Sequence, residues 1–264
     1  MRHATVSPFA LIAAIALWSW SPTQSVAQTP PASGSPSAAP QRAITAPAPG
    51  PDVDILAAEV RWIDDLNLLV FEQTVSGEAG GTSVPPRGAL DGAGVLGYVF
   101  PTTLSTTDVG FGAQEGIVAL AATIHPDFDD TPLWDENGDR DYSNDGIVFH
   151  THWVVLAPDD RVPGGLSVVE TQQIDKDLPP TNPGMPLFLD SPGFSVVLRG
   201  DRLRVVVPLD RVSGRTDFAF DAVTAYMEVN TSDPERPMLG VYQVYDVLSG
   251  DLGLPFEVVR DERR

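Results

Sequence analysis

Short apolar runs separated by turn residues fill the chain from residue 52 onward. The runs are rich in Val, Ile, Leu, Phe and Tyr, and Gly, Pro, Asn and Asp stand between them. The 3.6-residue period of an amphipathic helix is weak throughout, with residues 55–60 the one ambiguous stretch. The pattern predicts about ten strands. These strands fall at 60–63, 68–71, 95–100, 116–124, 147–156, 194–198, 203–207, 218–229, 239–247 and 256–259.

Turn-forming residues favour a layered β fold over a helix bundle. The chain has 25 prolines and 23 glycines, spread between the apolar runs. Gly200 and Asp201 separate two of the runs, which is typical of a two-residue hairpin turn. We therefore expect an all-β fold, an antiparallel β-sandwich of about ten strands, formed by a single domain at 52–264.

The first 51 residues have a different composition from the rest of the chain. Arg2 precedes an apolar run at 9–18, and the small residues Ser25 and Ala27 stand where a signal peptidase reads the chain. Residues 28–51 are mostly Pro, Ala, Ser and Gly, which have little to bury. We expect a cleaved signal peptide at 1–27, a disordered linker at 28–51, and an exported protein that is periplasmic or secreted.

Charge and cysteine content narrow the partners that we expect. The net charge of −20 disfavours nucleic acid as a partner, because like charges repel, and it suits a protein that binds cations. The chain has no cysteine, which excludes disulfides and acylation at a cysteine. No run after the signal peptide has the length that a bilayer requires, so we expect no membrane insertion.

An acidic loop lies between the predicted strands at 116–124 and 147–156. Eight acidic residues and one arginine fall between Asp127 and Asp145, and such a density of like charge is costly unless a cation neutralises it. The alternation within the loop resembles the first half of an EF-hand, although Arg140 replaces the usual Gly and Gly146 the last Glu. We predict a structural calcium site; a solvated loop with Asx-turns is the alternative. The predicted ligands are Asp135, Asn137, Asp139, Asp141 and Asp145.

The three histidines that follow the signal peptide are grouped beside this loop. His150 and His152 alternate along one strand, so their rings point to the same face. If the two flanking strands form an antiparallel hairpin, His125 lies close to His150. The set then suits zinc or copper, with Asp127 or Asp129 as a further ligand. The alternative is that the histidines only hydrogen-bond the acidic loop, and a one-residue slip in register would separate them.

Function follows from these features only in outline. No Gly-x-Ser-x-Gly elbow or other catalytic motif is present, so we expect a calcium-binding protein with a binding or structural role and no identified reaction. A zinc or copper metalloprotein or metalloenzyme is the alternative. A carbohydrate-binding module is a second alternative, and a glycan or protein partner stays open. Its candidate aromatic residues are Trp62, Trp134, Trp153, Tyr98, Tyr142, Tyr226 and Tyr242.

Overall fold

Strands make up most of the regular structure in the computed structural model, which describes residues 44–131, 135–136, 138–141 and 146–261. The predicted signal peptide and residues 28–43 of the predicted linker lie outside these ranges. The all-β class is confirmed. The strands are β1 (Ile55–Ile63), β2 (Leu68–Val75), β3 (Gly94–Thr102), β4 (Ile117–Ile124), β5 (His150–Pro158), β6 (Leu166–Val168), β7 (Leu189–Asp190), β8 (Ser195–Arg199), β9 (Arg202–Pro208), β10 (Ala219–Phe220), β11 (Val223–Val229), β12 (Leu239–Val247), β13 (Phe256–Glu257) and β14 (Val259–Arg260).

Helical structure in the described residues is limited to single turns. The α-helix α1 spans Ile174–Asp177, and short 3-10 helices lie at Pro51–Val53, Asp64–Leu66, Thr106–Val109 and Leu209–Val212. Within those described ranges, no helix combines the length and the apolar character that crossing a membrane requires.

Six strands close into a ring, in the order β3-β4-β5-β6-β12-β11. The ring closes because β11 pairs with β12 on one side and with β3 on the other, from Val99 opposite Val223 to Gly94 opposite Glu228. A separate five-stranded sheet has the order β14-β1-β2-β9-β8, in which only the β1–β14 pair is parallel. This arrangement differs from the predicted sandwich of about ten strands. The difference arises from pairing between strands far apart in sequence, which local patterns do not encode.

Two apolar clusters form the core, one between the ring and the sheet and one inside the ring. The first joins Phe71 of the sheet to Tyr98 and Trp153 of the ring. The second contains Val154 and side chains from the other five ring strands, and therefore lines the ring interior. Successive side chains of a strand point to opposite faces, so Trp153 and Val154 contribute to different clusters. Strands β3, β4, β5 and β11 are consequently buried on both faces along most of their length, whereas the second half of β12 is partly exposed.

Residues 44–51 contact the folded domain although their composition places them in the predicted linker. Ile44 and Ala46 pack against the cluster between ring and sheet. The hydroxyl of Tyr245 donates a hydrogen bond to the carbonyl of Pro47 at 2.9 Å. The end of the predicted linker therefore lies against strand β12. The exact domain boundary at residue 52 stays a prediction.

Candidate metal centre

The candidate site lies at the end of the ring where the chain leaves β4 and returns into β5. These strands pair antiparallel, with Ala121 opposite His152. Ala121 lies inside the ring, and the alternation of side chains puts His152 and His150 on the interior side of β5. His125 follows the last residue of β4 and lies on the same side as Ala121. The hairpin therefore brings the three histidines to one end of the ring interior.

Three imidazole nitrogens converge on a single carboxylate oxygen. The Oδ1 atom of Asp130 lies 3.0 Å from Nε2 of His125, 3.1 Å from Nε2 of His150 and 3.4 Å from Nε2 of His152. The Nε2 atoms of His125 and His150 are 2.5 Å apart. All four potential ligand atoms lie within 4.8 Å of one another. We call His125, Asp130, His150 and His152 the histidine–aspartate cluster.

The Nδ1 atom of each of the three imidazoles faces a hydrogen-bond acceptor. Nδ1 of His125 lies 2.8 Å from the carbonyl oxygen of Phe128, and Nδ1 of His150 lies 2.8 Å from that of Val148. Nδ1 of His152 lies 3.1 Å from Oγ of Ser191. A nitrogen that faces a carbonyl must carry a proton, so these contacts leave Nε2 of each imidazole as the atom that faces Asp130. Such outer hydrogen bonds orient metal-ligating histidines.

Glu136 and Gly146 connect the returning loop to the histidines. Oε1 of Glu136 lies 2.8 Å from Nδ1 of His150, and Oε2 accepts the backbone N–H of Gly146 at 2.7 Å. The carbonyl of Gly146 in turn accepts the N–H of His125 at 2.9 Å. Gly146 has a φ of 90°, and a Cβ there would lie 2.3 Å from the carbonyl oxygen of Phe128. This close approach requires glycine at position 146.

The histidine–aspartate cluster is buried and electrostatically suited to a cation. Its four residues are 1% to 4% exposed. Burial alone would raise the pKa of Asp130, but the neighbouring histidines hold it well below its usual range. Burial likewise opposes charge on His150, yet hydrogen bonds to Asp130 and Glu136 raise its pKa to about 10. Burial lowers the pKa of His152 to about 3. The carboxylates therefore favour positive charge at the centre of the cluster.

The dimensions of the cluster fit a small tetrahedral metal ion. Zinc holds nitrogen and oxygen ligands at about 2.0–2.1 Å, which sets neighbouring ligand atoms about 3.3–3.4 Å apart in a tetrahedron. The three distances to Asp130 Oδ1, 3.0 to 3.4 Å, lie close to that value. The cluster must still adjust: the Nε2 atoms of His125 and His150, at 2.5 Å, separate by about 0.8 Å, and the widest spacing between ligand atoms, up to 4.8 Å, shortens. Buried Nε2 of His152 makes no hydrogen bond to the described residues, although it points into the cluster.

Asp130, not Asp127 or Asp129, is the carboxylate that joins the histidines. Oδ1 of Asp127 accepts the backbone N–H groups of Arg87 and Gly88 at 2.6 Å. Oδ1 of Asp129 accepts the N–H of Thr131 at 2.8 Å and its hydroxyl at 2.7 Å. Both aspartates thus shape the loop that places Asp130. Neither belongs to the group of residues whose ligand atoms converge within 4.8 Å. Sequence analysis also missed the contact between Glu136 and His150.

The predicted calcium loop is described only in part. Asn137 and Asp145 lie outside the described residues. The carboxylate of Asp135 accepts three backbone N–H groups from residues 138–140 at 2.8 to 3.1 Å, and Asp139 accepts that of Asp141 at 2.7 Å. These are contacts of Asx-turns, and Asp139 and Asp141 are exposed. The calcium site stays a prediction.

Most aromatic residues named for a sugar-binding face are buried. Trp153 and Tyr98 are 0% exposed, and Tyr226 and Tyr242 belong to the same core cluster. Trp62 is half-buried, and the guanidinium of Arg260 lies 5.0 Å from its ring centroid. Trp134 and Tyr142 lie outside the described residues. The aromatic residues within the described ranges therefore provide packing, not an open stacking surface.

Comparisons with known proteins give no match that could assign the fold or the cluster. No protein-family model matches the chain, and searches of curated proteins and of solved structures return no significant match. Function must therefore be inferred from the histidine–aspartate cluster itself.

Proposed function

We propose that this is a zinc-binding protein in which His125, Asp130, His150 and His152 hold one zinc ion. The observation that carries the proposal is the approach of three buried Nε2 atoms to one carboxylate oxygen at 3.0 to 3.4 Å. Imidazole nitrogens and a carboxylate oxygen are the donor atoms that zinc binds. A cation at their centre would be held by all four ligand atoms, which lie within 4.8 Å of one another.

The types of donor favour zinc over the hard cations. Calcium and magnesium take oxygen ligands, and calcium takes six to eight of them. Three imidazoles with one carboxylate suit zinc, copper or another first-row transition metal, and a closed tetrahedral set is typical of zinc. Raw affinity for such donors favours copper, but selectivity in cells is set by geometry, ligand type and metal availability, so the closed tetrahedral set keeps zinc as the expected ion. Competition between these two metals is the decisive comparison.

Four protein ligands favour a structural role for the ion. Structural zinc sites are usually closed by four protein ligands, whereas catalytic sites keep one position for water or substrate. Here the ion would hold the loop between β4 and β5 to the end of the ring. The ion would cross-link the loop to the strands. The hydrogen-bond acceptors at Nδ1 would orient each imidazole toward the ion.

Metal analysis of the purified protein tests the proposal. The full chain is expressed in medium with zinc, copper and calcium, purified without chelator, and analysed by inductively coupled plasma mass spectrometry. We expect one zinc per chain, because the cluster offers one set of four converging ligand atoms. A protein free of transition metal contradicts the proposal. Stoichiometric copper would keep the site and overturn the assignment to zinc.

Glu136→Gln is expected to lower zinc affinity about 10- to 100-fold, the usual effect of losing an outer partner of a ligating histidine. The change removes the charge that accepts the Nδ1 proton of His150. Competition with a chromophoric zinc chelator measures the affinity. Glu59→Gln is the matched control, because Glu59 lies on β1 with its side chain 47% exposed. Equal affinities for the two variants would contradict the role of Glu136.

Two further parts of the function remain proposals of their own. We propose export to the periplasm or the medium, supported by the signal-peptide pattern at 1–27. Calcium binding by the acidic loop rests on the spacing of Asp135, Asn137, Asp139, Asp141 and Asp145. The metal analysis above counts calcium in the same samples, so it tests this site independently of zinc.

A further inference from the structure

A wholly apolar cavity lies inside the ring of strands, beyond the histidine–aspartate cluster. Its volume is about 90 Å³, and every residue that lines it is apolar. Its walls come from facing strands of the ring and include Val99, Ala121, Leu156, Ala225 and Val241. We call this space the apolar chamber.

Neither water nor ordinary core packing accounts for a space of this kind. A buried water needs two to four polar partners, which an all-apolar wall does not offer. Protein cores pack as densely as organic crystals and contain few voids larger than a water molecule. A void also costs stability roughly in proportion to its volume. A guest that fills the chamber with apolar contacts would therefore be stabilised there.

We propose that the apolar chamber binds one small apolar molecule, of the class of dissolved gases and short hydrocarbons. An engineered apolar cavity of about 150 Å³ holds benzene, with six carbons, so by proportion the chamber holds about four heavy atoms. The wall has no group that would bind a charged or strongly polar guest. The volume and the lining of the chamber thus favour guests that are small and apolar.

The chamber adjoins the candidate metal centre. A smaller cavity of about 20 Å³, lined by His125, Asp130 and His152 among others, shares Ala121, Val154 and Met227 with the chamber. At the opposite side, the chamber wall includes the half-buried side chains of Leu166, Val244, Val247 and Leu252. A guest that enters between them would lie in the same ring interior as the cluster. The proposal itself needs no metal.

Xenon is the probe that tests the chamber. We expect saturable binding by the full chain, measured as a concentration-dependent shift in ¹²⁹Xe NMR, because xenon is apolar and smaller than the chamber. Ala225→Leu should abolish this binding by filling the space, and the smaller change Ala225→Val should weaken it. Ala57→Leu makes the same change at an exposed position of β1 and should leave xenon binding intact.

The outcomes separate this proposal from the zinc site. Absence of saturable xenon binding by the unsubstituted protein overturns the chamber, as does equal binding by a folded Ala225→Leu protein. Circular dichroism establishes folding, and if Ala225→Leu fails to fold, an undiminished signal from Ala225→Val is the contradicting result. Benzene, which is larger than the chamber, should not bind. Xenon binding by protein without zinc would support the chamber even if the proposed zinc site is wrong.

Discussion

Replacing Asp130 with Asn is expected to weaken zinc binding by at least about a thousand-fold, equivalent to about 4 kcal/mol. The change keeps the shape of the side chain but removes the one negative charge that the three Nε2 atoms share, at 3.0 to 3.4 Å from Oδ1. Loss of an outer partner typically costs 10- to 100-fold, and loss of a direct ligand should cost more. His152→Ala should have a comparable effect, because it removes a whole ligand.

Competition with a chromophoric chelator measures both variants. Asp141→Asn is the matched control, since it makes the same chemical change at an exposed position of the same loop. We expect its zinc affinity to equal that of the unsubstituted protein. If Asp130→Asn binds zinc as tightly as Asp141→Asn, the carboxylate of Asp130 is not a ligand and the proposed site is wrong.

Removing zinc is expected to lower the melting temperature by about 8 to 16 °C. A ligand at a thousand times its dissociation constant stabilises the folded state by about 4 kcal/mol, and each kcal/mol shifts the melting temperature of a domain of 150–250 residues by about 2–4 °C. Differential scanning calorimetry before and after dialysis against a chelator measures the shift. Added zinc should restore the original value.

Two controls connect this shift to the cluster. His152→Ala protein should melt at the same temperature with and without chelator, because it has lost the site. Calcium added to the chelated protein should not restore its stability if zinc alone is responsible. Recovery with calcium would instead support the acidic loop as the stabilising site. A melting temperature that no metal changes would contradict a structural role for either ion.

The strands were predictable from sequence because their signal is local. The run at 95–100 lies within β3, the run at 116–124 covers β4 and the run at 239–247 coincides with β12. The apolar character of the first two follows from burial on both faces. Closure of the ring was not predictable. It depends on pairing of β3 with β11, and neither strand's sequence specifies its partner.

The histidines were found from sequence, whereas their carboxylate partner was not. Alternation along β5 and a hairpin between β4 and β5 suffice to bring His125, His150 and His152 together. The acidic run offers eight carboxylates of the same chemistry. Asp130 points inward because Asp129 accepts hydrogen bonds from Thr131 and Asp127 accepts those of residues 87 and 88. These loop contacts have no signature in a single sequence.

The ligands of the cluster all come from one hairpin, whereas the ring closes between strands far apart in sequence. Bringing a short segment together costs less chain entropy than closing a long one, and local contacts form earlier in folding. If the proposed zinc binds, the hairpin can therefore take it up before β11 completes the ring, and the loaded hairpin is then a preformed surface for the later strands. A chain without cysteine would in this way depend for its assembly on the supply of metal and not on an oxidant.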